Sequence, residues 1–182
     1  MLKVIEPMPD ADLDPEAAVV VVVGPAQVVQ LEAYRTAIEL PVGTRPRPVV
    51  VIPATVGPAR AAALARARNY ETVVVAIETG GDPAGELDLE LVLESLEALQ
   101  PDVVIAVVDA ERPLESTQAW LDALGSVDAL SLDGAAVVSA PASVLQLGLP
   151  VIRLNGIPID RVTWTALLCA QLEAARPAEL RA

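Results

Sequence analysis

The stretch that decides the fold is VVVVVGPAQVVQLEAYRTAIEL, residues 19–40. Five consecutive valines suit a strand covered on both faces, because a strand with one wet face would alternate with polar residues. A Gly-Pro pair follows at 24–25, and then a segment with helical spacing of its apolar residues. A buried strand, a glycine turn and a helix N-terminus together form the setting of a phosphate-binding loop. The question is whether the loop itself is there.

Working outward, five more short apolar runs recur at even spacing, so the six lie at 18–23, 48–52, 72–77, 103–108, 127–132 and 150–154. Helical segments alternate with them at 27–40, 58–68, 87–99, 114–124, 140–148 and 160–175. Strict strand–helix alternation predicts an α/β sandwich of three layers on a parallel sheet with right-handed crossovers. Residues 41–48 (PVGTRPRP) read as a loop. Ligands of such folds sit at the C-terminal ends of the strands. That line runs through Gly24, Ala54-Thr55, Glu78-Thr79, Asp109, Asp133 and Asn155.

Composition narrows the function. The chain has 182 residues, a net charge of −13, no histidine and no phenylalanine. So acidic a chain is a poor partner for nucleic acid or an anionic membrane. Its one lysine, Lys3, lies outside the strand-and-helix pattern, so no lysine in the folded part reaches a phosphate. Without histidine there is no imidazole base and no His-Cys metal cluster. Thr79 and Ser139 therefore lack a histidine or lysine base and are poor candidates for nucleophiles. The single Cys169 sits in an apolar helical segment and reads as a packing residue; no disulfide can form within the chain. No apolar run reaches membrane-helix length, and residues 1–17 are acidic and broken by proline, unlike a signal peptide. The expectation is a cytoplasmic protein with one domain at 18–176, an N-terminal tail at 1–17 and a C-terminal tail at 177–182.

Three segments together resemble a known family. They are NYETVVVAIETGGD (69–82), LQPDVVIAVVDAERPLESTQAWLDALGSVDALSLDG (99–134) and GAAVVSAPASVLQLGLPVIRLNGIPID (134–160). In order and spacing they are similar to the G domain of the signal-recognition-particle class of GTPases, flagellar and receptor members above all. The first resembles the strand and loop written DTAGR in that family, the second its guanine-reading TKLD strand, the third its closing segment. The resemblance implies a P-loop-GTPase-like fold with six parallel strands in the order 2-3-1-4-5-6. The family's N-terminal helical bundle and its inserted strand and helix have no counterpart in this sequence.

Laid on this resemblance, the nucleotide motifs are degenerate. In the P-loop pattern G-x-x-x-x-G-K-[ST], the first glycine falls on Gly24, but the second falls on Val29, the lysine on Gln30 and the hydroxyl on Leu31. The cradle, the cation and the Mg²⁺ ligand are lost. Ala54 and Gly57 stand where the family's ADTYR loop has its acid and arginine. Glu78 and Asp82 replace the acid and arginine of DTAGR, and of TKLD the lysine has become Ser131 while Asp133 is kept. The implied crevice is lined by Glu78, Asp82, Asp109, Glu111 and Asp133, with Arg112 and Arg60 nearby, and such a set repels a triphosphate.

The expectation is a pseudo-GTPase that binds no nucleotide, uses no cofactor or metal, and works as a protein-interaction or scaffold domain. The resemblance implies as partner a second copy, a true GTPase of the class, or a secretion, flagellar or pilus assembly. Glu78, Asp82, Glu111, Trp120 and Trp164 are the candidate interaction residues, the tryptophans only if exposed. The alternative is a Rossmann-like enzyme or small-ligand binder with an acidic Mg²⁺-type site at the strand ends, built on Glu78, Asp82 and Asp109.

Overall fold

In a computed structural model the described residues are 19–39, 49–52, 73–79, 86–134, 144, 146–159, 162–166 and 169. The valine run forms strand β1, Val19–Pro25, and its burial explains its composition: Val20 to Val23 are all inaccessible. Alternate side chains go to opposite faces. Val21 and Val23 join one apolar cluster, and Val20 and Val22 join the other. A strand buried so completely has to be central, and β1 pairs in parallel with β3 (Val73–Thr79) on one side and β4 (Val103–Asp109) on the other. Beyond β3 lies β2 (Val49–Ile52); beyond β4 lie β5 (Ala129–Asp133) and β6 (Val151–Leu154). The six expected strands therefore run parallel in the expected order.

A seventh strand was not expected. Asn155 and Gly156 both take positive φ, 50° and 74°, which is what a two-residue hairpin of matching twist requires. The chain reverses there into a two-residue antiparallel strand β7, Ile157–Pro158. The full order is β2-β3-β1-β4-β5-β6-β7, a mixed sheet with a short antiparallel edge. The Asn-Gly pair, the strongest short hairpin signal, stands in plain view in the sequence at LNGIP.

Helices cover both faces. Helix α1, Ala26–Glu39, buries Val29, Ala33 and Ala37 against one face. Helices α2 (Glu86–Leu99) and α3 (Leu114–Leu124) cover the other. There α2 contributes Val92, Leu96 and Leu99, and α3 contributes Trp120, Leu121 and Leu124. The expected helix at 58–68 lies outside the described residues. So does most of the one at 140–148, of which Val144, Gln146 and Leu147 are in 3₁₀ conformation. Of the last expected helix, residues 162–166 and Cys169 are helical. Cys169 is exposed rather than packed.

Two aspartates tie strands together at the end of the sheet opposite the expected site. Asp102 accepts a hydrogen bond from Val19 N–H at 2.7 Å, and its own N–H donates to Val19 C=O at 2.9 Å. Asp128 repeats the device one strand further on, accepting from Val104 N–H at 2.8 Å and donating to its carbonyl at 2.9 Å.

Candidate functional site: the strand-end rim

The Gly-Pro pair is not a turn. Both residues belong to β1, in register with Glu78 and Thr79 of β3, and α1 starts at the next residue, Ala26. Gly24 is required there by its neighbour strand. A Cβ at Gly24 would lie 2.7 Å from Val107 Cβ and 3.0 Å from the Val107 carbonyl oxygen. The one position that matches the P-loop pattern is thus a strand residue pressed against β4.

The substituted positions fall in the first turns of α1. Val29 has 0% exposure and packs in the apolar cluster of that face. Gln30 is exposed and its amide donates to the Glu78 carboxylate. These are the positions aligned with the family's P-loop lysine and DTAGR acid, and here they hydrogen-bond to each other. Leu31 is half exposed. Beside them the Thr79 hydroxyl is buried with no hydrogen-bond partner.

Asp109, at the end of β4, is absorbed by a turn. Its Oδ1 accepts from Glu111 N–H at 2.9 Å and its carbonyl accepts from Arg112 N–H at 3.1 Å. Asp133 stands opposite it in register, and the Asp133 carbonyl accepts from Ala110 N–H at 2.8 Å. Between Pro25, the end of β4 and α3 lies a cleft of about 410 Å³ whose polar lining is Asp109, Glu111, Arg112 and Thr117, with Trp120 as its aromatic wall. Of the acids in the expected crevice, Asp109 and Glu111 line this cleft, Asp133 stands beside Asp109, and Glu78 bonds Gln30 of α1. Asp82, Arg60, Ala54, Gly57 and Ser139 lie outside the described residues. Among the described residues no group of three acids or other ligands is arranged to hold a metal ion.

The tryptophans do not meet the condition set for them as interaction residues. Trp120 and Trp164 are both buried in the same apolar cluster, and neither stands on the surface as a partner anchor. Trp164 Nε1 has no hydrogen-bond partner.

Sequence reasoning missed a buried ion network. Arg153 of β6 reaches under α1, where its guanidinium bonds Glu32, Thr36 and Glu39. Arg153 and Glu32 are almost wholly buried, and Arg35 joins from the rim at 3.7 Å from Glu32. Burial alone would lower the Arg153 pKa; the hydrogen bond with Glu39 and the charges of Glu32 and Glu39 outweigh it, and the net shift is upward. The signal was present: Glu32, Thr36 and Glu39 lie at i, i+4 and i+7 of α1, and VIRL sets one arginine in an otherwise apolar strand.

The strand order, the central β1 and the helices on both faces define an α/β protein with the fold of signal-recognition-particle-class GTPases. Solved structures agree. The chain is similar to chloroplast FtsY from Physcomitrella patens, with 13% identity over 92% of this chain and 67% of that one, at a TM-score of 0.63. It is also similar to the signal recognition particle receptor FtsY from Elizabethkingia anophelis. One such structure gives 12% identity over 80% of this chain and 62% of that one, at a TM-score of 0.53. A second, in complex with GDP, gives 12% identity over 76% and 57%, at 0.52. At these identities the likeness is one of fold. No family model matches the sequence, and no curated protein is similar to it.

Proposed function

We propose that this chain is a pseudo-GTPase, a G-domain-like scaffold that docks a protein partner without nucleotide turnover. The observation that carries the reading is the junction of β1 and α1. A phosphate cradle needs a run of backbone N–H groups free of strand and helix, wrapped around the anion. Here Pro25 ends the strand and Ala26 begins the helix, with no residue between them. The amide at the lysine position is engaged by Glu78, and Val29 fills the space beneath with a branched side chain. A carboxylate at that point opposes the γ-phosphate rather than balancing it. Docking then proceeds from one fixed conformation.

Thermal shift tests this. A ligand at 100 times its Kd stabilises by about 2.7 kcal/mol. That corresponds to a rise of several degrees for a domain of this size. The expected result is no rise with millimolar GTP–Mg²⁺ or ATP–Mg²⁺, and a clear rise would sink the reading. The cleft beside Asp109, Glu111 and Arg112 favours a second reading, a small-ligand binder using Mg²⁺. Calorimetry with Mg²⁺, alone and with a nucleotide panel, separates the two: heat of binding lost on Asp109→Asn supports the ligand site.

A further inference from the structure

The outer side of α1 is apolar. Leu31, Tyr34 and Ile38 are 50%, 53% and 72% exposed, at i, i+3 and i+7, so they form one stripe along the helix. The stripe continues onto the sheet edge. The β6–β7 turn lies against α1: the position a Cβ would take on Gly156 coincides with the Arg35 guanidinium. Ile157, the next residue, is 66% exposed. Arg35 thus links the two parts: it stands on the helix that carries the stripe, and its guanidinium meets the turn that carries Ile157. Isolated exposed apolar residues are ordinary, whereas a contiguous patch rimmed by polar groups marks a contact surface.

Charge says what covers it. Within the patch the ions are already balanced, since Arg35 and Arg153 face Glu32 and Glu39. The contact itself thus favours apolar side chains and has no local preference of sign. The molecule as a whole carries −13. That field repels a second copy and draws in a positive partner. A stripe of three- and four-residue spacing packs best against another helix.

We infer that the α1 stripe, extended by Ile157, docks an amphipathic helix of net positive charge from another protein. The inference rests on the docking reading above and gives it a surface other than the acidic rim.

The test uses the full chain and a fluorescein-labelled synthetic helical peptide of leucine and lysine, with leucines at three- and four-residue spacing. A scrambled peptide of the same composition controls for charge. Anisotropy should show binding at least tenfold tighter for the patterned peptide, weakening as salt rises. Leu31→Ser with Ile38→Ser should weaken it at least tenfold, with the melting temperature held. Reversals Glu78→Lys with Glu111→Lys should weaken both peptides alike and leave their ratio within about threefold. Equal binding of the two peptides, or a ratio abolished only by the rim reversals, overturns the stripe while leaving docking at the rim. Self-association of the wild type in sedimentation, removed by the two serines, overturns the choice of partner. Stabilisation by GTP–Mg²⁺ is the separate result that would remove the pseudo-GTPase reading and leave the stripe standing.

Discussion

At the scale of single residues, Arg153 is the side chain on which most depends. Breaking a buried pair by removing one partner costs about 3–5 kcal/mol, because the other charge stays buried and uncompensated. Arg153→Met should lose that much in urea melts, and adding Glu32→Leu should recover a large part of it. The arginine's pKa is raised, so its stabilisation is fully present below the unfolded value and lost only as pH climbs through the still higher folded value. The Arg153→Met penalty should therefore not shrink between about pH 7 and 9. Val29 and Gln30 behave differently. Restoring the motif with Val29→Gly and Gln30→Lys should not restore GTP binding, because no loop exists to close around a phosphate. It should instead cost about 2–4 kcal/mol, from one buried valine and one helix glycine. Val29 was legible both as a lost glycine and, with Val28 and Leu31, as a side chain apt to turn inward into the space a nucleotide would fill; Val29 does so, whereas Leu31 stays half exposed. Arg153 was missed although its signal stood in the sequence, because a lone arginine in an apolar strand and two acids on a distant helix become a pair only once the fold brings β6 under α1.

At the scale of elements, the junction of β1 and α1 and the paired aspartates matter most. Gly24 packs directly against Val107 of β4, so Gly24→Ala should destabilise by about 1–3 kcal/mol through overpacking there. A phosphate-cradle glycine would tolerate that change in stability and lose affinity instead, which makes urea melts the discriminating measurement. Asp102 and Asp128 each close one strand start onto its neighbour through paired hydrogen bonds. Replacing either with alanine should cost about 1–2 kcal/mol, the more buried Asp128 bond the more. The strands were legible because β-branched runs buried on both faces leave little choice. The end of β1 was not, because Gly-Pro is a turn signal by local chemistry and only the tertiary approach of Val107 makes it strand. The β7 hairpin is the opposite case: Asn155-Gly156 is a local signal, but the strand that follows it is only two residues long and shows no apolar run of its own.

At the scale of the whole molecule, the charge of −13 and the apolar α1 stripe act over different ranges. Self-repulsion among surface acids is screened by salt, whereas the buried Arg153 pairs are screened far less. The melting temperature should therefore rise from low salt to physiological ionic strength, and a fall would mean that exposed ion pairs dominate. The layer architecture was legible from alternation alone, and the sheet order from the resemblance. The fate of the rim acids was not, because the line of strand ends is drawn in one dimension and shows neither the turn that takes up Asp109 nor the Gln30 amide that takes up Glu78. The central place of β1 has one more consequence, for synthesis. The valine strand leaves the ribosome before either neighbour, whose pairing residues begin at Val73 and Val103. At about 5–20 residues per second it waits for seconds as an unpaired, uncharged β-former. A nascent segment of that kind is a natural substrate for chaperones and, without them, for aggregation. The same five valines that make the middle of the finished sheet are its most hazardous stretch while the chain is being made.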